Sequence, residues 1–325
     1  MAFKPATRKR VKSRLAIAGM SKSGKSLTSL GIARGIVGPE GRIAAVDTEN
    51  GALSLYAKRF PGTTQPEGFD VQELTNCSPD AYIKAIDEAA RAKYDLLLID
   101  STTQEWQAIL ELVDGNTDKF FGGWKAATPK HNAFIRAIVS APLHIIVTAR
   151  MKDDYVIEQV NGKSTPVKVG TEIVQRKQFE YEFNAVMTID LDHTIRVTHS
   201  AIDFLPNGTL IPATTDINDM TVLGANIRRW LDDGDEEWTP PVYKKAFYIN
   251  TADGVKEIQS NGIEKEQYIL LGNRGAALEK VQKRGAAKLL VEKVTGKRTL
   301  ADLTVDEADK AIAAFEAELE AASVQ

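Results

Sequence analysis

An eight-residue segment near the N-terminus carries the clearest chemical signal in the sequence. It follows the pattern G-x-x-x-x-G-K-S and reads Gly19-Met20-Ser21-Lys22-Ser23-Gly24-Lys25-Ser26. The glycines let backbone N–H groups turn toward phosphate oxygens, and the N-terminus of a following helix adds partial positive charge. Lys25 can then reach the β- and γ-phosphates, and the Ser26 hydroxyl can bind Mg²⁺. The segment through Leu27 therefore predicts a site for ATP and Mg²⁺, in which Lys22 either contacts phosphate or is simply exposed.

Acidic residues follow two apolar segments, where they could assist reactions of a bound phosphate. Asp100 follows four aliphatic residues and has the Walker B pattern, so its carboxylate should hold Mg²⁺ opposite Ser26. Asp47 and Glu49 follow the apolar residues 43–46. A carboxylate near the γ-phosphate can orient and deprotonate water, which is the role expected of Glu49, and Asp47 is a candidate metal ligand. Either of these two could instead cap the next helix.

A further apolar segment, residues 143–150, ends in polar side chains. Thr148 or Arg150 would face the γ-phosphate there and sense its presence. Arg150 could alternatively pair with a surface carboxylate a few residues further on, Asp153 or Asp154.

These side chains need a scaffold that brings the ends of several strands together. The apolar segments 15–18, 42–47, 94–101 and 143–150 have the length and composition of buried strands. In an open α/β sheet the ligand crevice lies at the carboxyl ends of the strands, and the phosphate loop and the acidic residues follow such ends. The pattern predicts an α/β fold with a mostly parallel, twisted sheet, and it places His144 in the core as a hydrogen-bonded histidine.

Composition excludes several protein classes. The chain has 325 residues, 43% of them hydrophobic and 26% charged, and a net charge of −3, as in ordinary globular proteins. One cysteine and four scattered histidines argue against an internal disulfide or a zinc site. No apolar run reaches about 18 residues, so we expect no membrane span, and the basic N-terminus lacks the apolar core of a secretory signal. A cytoplasmic location is expected.

Clusters of charge suggest domain boundaries. Residues 1–25 hold eight basic and no acidic side chains, and residues 232–237 hold five acidic ones shortly before Pro240 and Pro241. A charged, proline-containing stretch without apolar periodicity is typical of a linker. The expected organisation is a basic N-terminal arm (1–14), an ATPase domain (15–232), an acidic linker (233–242) and a small, mainly helical C-terminal domain (243–325).

Two helices of the C-terminal domain can be located from the sequence. Residues 276–294 have the apolar spacing of one amphipathic helix. The Thr-x-x-Glu pattern that begins at Thr304 is a capping box and should open the last helix. Basic side chains between residues 280 and 293 either contact phosphates or pair with that acidic last helix.

Four sequence blocks, taken in order, resemble RecA-like ATPases: residues 19–26, 47–60, 96–101 and 145–152. Within that group the chain is similar to phage proteins of the AAA_24 type, near the phage single-strand annealing and recombination ATPases, over residues 12–232. The resemblance implies a RecA-like P-loop NTPase core, with Glu49 as general base and Tyr56 stacking on the nucleotide base. A core-facing position for Tyr56 is the alternative.

The resemblance also implies that two segments, residues 116–130 and 151–170, bind single-stranded DNA. Flexible loops with aromatic and cationic side chains suit that ligand. The candidate residues are Phe121, Trp124, Lys125, Lys152, Lys163 and Lys168. Residues 155–163, which contain an Asn-Gly pair, are equally typical of a β-hairpin.

The implied function is DNA-stimulated ATP hydrolysis in phage recombination, annealing or replication, in the cytoplasm of a bacterial host. A homo-oligomer or filament is expected, with a single-strand-binding protein as a further partner. Unlike related ATPases, the segment 195–200 ends without a basic residue that could reach a neighbouring subunit. Either another residue, for example Arg176 or Lys177, takes that role, or hydrolysis is slow. An ATP-dependent adaptor with little hydrolysis and a helicase or packaging motor are the alternatives.

Overall fold

The computed structural model describes residues 6–115, 122–160, 163–214, 216, 218–234, 236–237, 245–251, 254–260, 265–281, 286–297, 299–300 and 303–323. The chain forms two compact units, Met1–Pro241 and Val242–Gln325. Each unit has its own cluster of buried apolar side chains. Across the described ranges, no helix is both long enough and apolar enough to cross a bilayer.

The first unit is built on a mostly parallel sheet. The strands described in this unit are β1 (Lys9–Arg10), β2 (Arg14–Gly19), β3 (Ile43–Asp47), β4 (Asp70–Glu73), β5 (Leu96–Asp100), β6 (His144–Val160), β7 (Lys163–Ile173), β8 (Ala185–Ile189), β9 (Ile195–Ser200), β10 (Leu210–Ile211) and β11 (Glu236–Glu237). The main sheet has the order β10-β9-β8-β2-β6-β5-β3-β4, and β7 pairs with β6. The pairs β8-β2-β6-β5-β3-β4 are parallel, whereas β9, β10 and β7 join antiparallel. The predicted α/β class and the four predicted strands are confirmed.

Helices cover both faces of this sheet because its strands are apolar on both sides. The helices are α1 (Lys25–Val37), α2 (Pro79–Arg91), α3 (Thr103–Asp114), α4 (Gly122–Ser140) and α5 (Asn218–Asp232). Alternation along β2 shows the two faces: Leu15 and Ile17 pack with side chains of α1 and α5, whereas Ala16 packs with side chains of α2 and α4. His144 is buried and its Nδ1 accepts a hydrogen bond from Ser13 N at 2.9 Å, which confirms its predicted place in the core.

The loop expected at residues 116–130 is wrong for residues 122–130, which belong to α4, while DNA binding by this segment stays a prediction. The helix forms because it has a face to bury. Ala127 is fully buried, and the ring of Trp124 lies 6.0 Å from that of Trp106 on α3. The two glycines and the internal Pro129 made the segment resemble a loop. Residues 116–121, including the candidate Phe121, lie outside the described residues.

The second predicted DNA-binding segment, residues 151–170, lies in a long antiparallel hairpin formed by β6 and β7. The register begins at Met151 opposite Ile173 and shifts between Asp154 and Tyr155. The hairpin expected from residues 155–163 is confirmed, although the Asn-Gly pair itself lies outside the described residues. The hairpin continues the strand that carries Thr148 and Arg150.

The expected arm and linker contact each other. β1 pairs in parallel with β11, and Val11 N donates to Leu231 O at 3.1 Å. Arg8 lies over the ring of Trp230 at 5.2 Å and also approaches Asp233 at 3.5 Å. The acidic stretch therefore includes a short strand rather than only an unpaired connection.

The second unit contains a hairpin in addition to the predicted helices. Its elements are β12 (Lys245–Thr251), β13 (Gly254–Ser260), α6 (Lys265–Val281), α7 (Ala286–Thr295) and α8 (Val305–Ser323). The prediction of one helix over residues 276–294 is wrong, because this stretch is divided between α6 and α7. The capping box is confirmed: Thr304 N donates to Glu307 Oε2 at 2.9 Å and Glu307 N donates to Thr304 Oγ1 at 3.4 Å. Phe315 of α8 is buried in the core of this unit.

Candidate nucleotide-binding site

The loop between β2 and α1 has the shape that its glycines predict. A Cβ at Gly19 would lie 2.7 Å from Ile189 O, and it would also collide with Ser23 Oγ. Gly24 has φ +93°, in the left-handed region that favours glycine. Ser23 Oγ is buried and has no hydrogen-bond partner among the described residues. This tight loop at a helix N-terminus fits a phosphate group, since its backbone can approach a ligand without side-chain obstruction.

Lys25 begins α1 and its ammonium is held inside the loop. Nζ donates to Met20 O at 2.9 Å, and the residue is 7% exposed. Burial lowers the pKa of Lys25, while the negative charges of Asp100 and Glu49 oppose that effect. A phosphate would give this ammonium a charged partner in place of a neutral carbonyl.

Asp100 is the buried centre of the site. Its Oδ2 accepts from Ser26 Oγ at 2.5 Å and its Oδ1 accepts from Thr148 Oγ1. Burial raises the pKa of Asp100, and these two hydrogen bonds oppose the rise. The contact between Ser26 at the start of α1 and Asp100 at the end of β5 joins the two predicted metal ligands. Mg²⁺ in phosphate-binding sites usually takes one or two protein oxygens and completes its shell with phosphates and water, so this donor pair fits Mg²⁺.

Glu49 and Arg150 form an ion pair beside this centre. Arg150 Nε and Nη2 lie 3.0 and 2.9 Å from Glu49 Oε1. The partner of Arg150 is therefore the general-base candidate, rather than Asp153 or Asp154 as the alternative prediction held. Both side chains are partly exposed, at 44% and 27%, which leaves them accessible to a ligand. Among the described residues, the hydrogen bonds and ion pairs of the Glu49 side chain all go to Oε1.

Asp47 has the capping role that the sequence left open. It is 2% exposed, and its two oxygens accept from Glu49 N at 2.6 Å and Leu53 N at 2.8 Å. These bonds fix the turn that carries Glu49 and lead into a 3₁₀ turn at Ala52–Tyr56. Tyr56 is half-buried against the apolar cluster of the first unit, as its core-facing alternative requires. Its stacking on a base stays a prediction.

His193 is a site residue that sequence reasoning missed. It lies in the turn between β8 and β9, and its Nδ1 is 3.0 Å from Ser23 O in the phosphate loop. The two residues are 170 positions apart and follow no shared motif. Only the pairing of β8 with β2 brings them together.

The remaining DNA-binding candidates have varied surroundings. Trp124 is 37% exposed and Lys125 is exposed on α4. Lys152 is paired with Glu172 across the hairpin at 3.0 Å. The backbones of Lys163 and Lys168 lie in β7, while their side chains lie outside the described part of the structure.

Of the two residues suggested for a subunit-bridging role, Arg176 and Lys177, the first donates to Asn132 Oδ1 at 3.1 Å and the second is exposed.

Comparison with known proteins identifies the first unit. The AAA_24 family model, which describes an AAA domain, matches residues 11–211. That range is more than half of the chain and contains the phosphate loop, Glu49, Asp100, Arg150 and His193. A comparison with curated proteins finds no match.

Proposed function

Since this chain belongs to the AAA domain family of P-loop ATPases, we propose that it hydrolyses MgATP at the loop of residues 19–26 and couples this cycle to single-stranded DNA. The observation that supports the proposal most is the convergence on Asp100. A hydroxyl beside the phosphate loop, Ser26, and a hydroxyl from the sensor strand, Thr148, both donate to its carboxylate. The start of α1, the end of β5 and an interior position of β6 are thereby linked beside the loop that we propose binds the phosphates.

The binding step assigns a role to each loop residue. Lys25 exchanges its bond to Met20 O for the β- and γ-phosphates, and backbone N–H groups at the start of α1 receive the phosphate oxygens. Mg²⁺, when held by Ser26 and Asp100, would neutralise charge on those phosphates. A cation held there would favour the charged form of the buried Asp100 carboxylate and so would oppose the effect of burial, which raises its pKa.

The hydrolytic step rests on Glu49 and Arg150. Arg150 holds one oxygen of the Glu49 carboxylate, and the other oxygen can accept a proton from water. Asp47 fixes the backbone at Glu49 through a hydrogen bond to Glu49 N. The carboxylate is thus oriented from both its main chain and its side chain. Positioning of this kind is worth a large share of the rate in phosphoryl transfer.

The proposed DNA role rests on the family resemblance and on chain continuity. Arg150 and the first strand of the hairpin both belong to β6. A displacement of Arg150 when ATP is cleaved would therefore be transmitted to the hairpin along a single strand. Cations in the hairpin, including Lys152, would contact phosphates of a single strand. We place this activity in phage recombination, annealing or replication, carried out by a homo-oligomer in the host cytoplasm, where a single-strand-binding protein would be a partner.

The test measures ATP turnover and ATP affinity in the full-length protein with and without a single-stranded oligonucleotide. The oligonucleotide should raise kcat. Lys25→Ala should abolish ATP binding in calorimetry, while Lys84→Ala, an exposed lysine on α2, should bind as the parent does. Glu49→Gln should retain ATP binding and lose about 10²–10⁴ in kcat. ATP binding without turnover, in the presence or absence of DNA, would refute hydrolysis and favour the adaptor. Turnover that ignores DNA would refute only the coupling.

A further inference from the structure

The end of β8 and the turn that follows it lie against the two glycines of the phosphate loop. Ile189 O lies 2.7 Å from the point that a Cβ at Gly19 would occupy, and His193 Nδ1 lies 3.3 Å from the corresponding point at Gly24. We propose that His193 is a positioning residue, which holds this loop in the conformation that binds phosphate. The inference rests on the proposed binding of ATP at the loop and assigns a residue outside the loop to it.

The hydrogen bond of His193 sets the direction of one peptide group. Ser23 O can only accept, so His193 Nδ1 at 3.0 Å must carry the proton. The Ser23–Gly24 peptide is trans. In a trans peptide the carbonyl and the following N–H point in opposite directions. With Ser23 O held toward the turn, Gly24 N–H points away from the turn.

Gly24 N–H is one of the donors at the start of α1 that a phosphate would use. The N-cap of α1 is Gly24, and the hydrogen bonds of the described chain give its N–H no acceptor. Such donors at a helix N-terminus form an anion site only when they point to the same side. Glycine at φ +93° rotates easily, so the loop needs an external contact to keep this orientation. His193 supplies that contact.

The backbone around His193 is itself fixed. His193 N donates to Asp190 O at 2.9 Å, and Asp190 N donates to Thr194 O at 3.0 Å. Thr194 N donates to Asp192 Oδ1 at 2.9 Å. His193 has φ +67°, a conformation that histidine tolerates and glycine prefers. The ring is therefore presented by a closed turn rather than by a mobile loop.

The best perturbation removes the ring without disturbing the turn. His193→Gly does so, because glycine suits the positive φ at this position. His193→Ala removes the same ring but keeps a Cβ at the positive φ, so the backbone strain stays while the hydrogen bond to Ser23 O is lost, and this variant should have a lower Tm. Leu191→Ala is the matched control, since Leu191 is 65% exposed in the same turn. Each variant is measured as the full-length protein by calorimetry with MgATP, by steady-state ATPase kinetics and by thermal unfolding.

We expect both His193 variants to raise Kd and KM for MgATP about fivefold, because fewer molecules have the competent loop. kcat should stay within twofold, since Lys25, Glu49 and Asp100 keep their contacts. ADP and GTP should lose the same factor as ATP, because the affected donor meets phosphate rather than the base. His193→Gly should melt at the parent temperature, and Leu191→Ala should behave as the parent in every assay.

Parent-like Kd in His193→Gly, a loss confined to adenine nucleotides, or a loss seen only in the variant with lowered Tm would overturn this role of His193. These failures can be separated from failure of the proposed function. If the parent binds MgATP and Lys25→Ala does not, the nucleotide site stands and only the role of His193 is refuted. If the parent itself does not bind MgATP, both conclusions are refuted.

Discussion

Asp100→Asn should stabilise the ligand-free protein while strongly reducing its turnover of MgATP. The carboxylate is 2% exposed and accepts two hydroxyl hydrogen bonds, from Ser26 and Thr148. A carboxylate has about four acceptor sites, so the two hydroxyls use roughly half of the capacity of this almost fully buried group. Burial consequently raises the pKa of Asp100, which means that the charged form is disfavoured in the folded chain.

The size of the stabilisation depends on the hydrogen bonds that asparagine keeps and on the buried charge that it removes. The amide can accept from one hydroxyl and donate to the other, so two neutral hydrogen bonds of about 1 kcal/mol each replace two charge-assisted bonds of roughly 1.5–3 kcal/mol. The desolvation of a buried carboxylate, several kcal/mol, disappears. Lys25 loses an opposite charge, which reduces the gain. The expected net stabilisation is about 1–2 kcal/mol, or a rise in Tm of roughly 2–8 °C for a unit of this size.

The stability difference between the parent and Asp100→Asn should depend on pH. Because the pKa of Asp100 is raised above its ordinary 3.8, the native state binds more protons than the unfolded state between that value and its own pKa. The parent therefore loses stability as pH rises through this range, and the variant does not. The advantage of asparagine should be smallest near pH 4 and should grow toward neutral pH. Urea denaturation of the ligand-free proteins from pH 4 to 8 measures it.

Asp47→Asn is the matched control. Asp47 is register partner of Asp100 on the neighbouring strand and is equally buried. Its two oxygens accept from two backbone N–H groups, Glu49 N and Leu53 N, and an amide can accept from only one of them. Asp47→Asn should therefore destabilise by about 1–3 kcal/mol. Destabilisation by Asp100→Asn, or an advantage that does not change with pH, would refute the reasoning. MgATP turnover should fall at least about 100-fold in Asp100→Asn.

Three further outcomes are expected. Arg34→Met should lower the free energy of unfolding by about 3–5 kcal/mol in urea without changing activity per folded molecule, because four backbone carbonyls lose their donor, at about 1–3 kcal/mol for each one that stays buried and unpaired. These acceptors are Phe60 O, Gly38 O, Gly41 O and Gly68 O. Arg150→Ala should lower kcat about 10–100-fold at unchanged Kd for ATP, because Glu49 loses its orientation; equal losses in kcat and affinity would contradict this. Burial holds the pKa of His144 well below its usual value, so stability should fall by up to about 1.4 kcal/mol per pH unit below pH 6.5, and His144→Asn should flatten that slope.

Local signals in the sequence located much of the site. The phosphate loop is recognisable because its glycines, its lysine and its hydroxyl act within one turn of chain. Asp100 is recognisable because a buried parallel strand is apolar along its whole length and ends abruptly at a charge. The capping box at Thr304 is visible because its two partners are three residues apart.

Sequence patterns gave wrong predictions where a segment's structure depends on packing against another helix. Residues 122–130 contain two glycines and Pro129, and they looked like a loop. They form a helix because Ala127 and Trp124 find a surface on α3 to cover. The division of residues 276–294 between α6 and α7 is a second case, since apolar spacing alone does not show that α6 ends at Val281 and α7 begins at Ala286.

What the sequence determined by itself is which chemical groups the strands carry: a glycine-rich loop of the phosphate-binding pattern, acidic residues at the ends of two strands and a basic residue on a third. What only the tertiary structure decided is how these groups are paired. Arg150 reaches Glu49 across 101 residues, and His193 reaches Ser23 across 170. Asp47 and Asp100 follow similar strands, yet one accepts backbone N–H groups and the other accepts hydroxyls. The role of a carboxylate depends on which donors surround it, and sheet order places those donors.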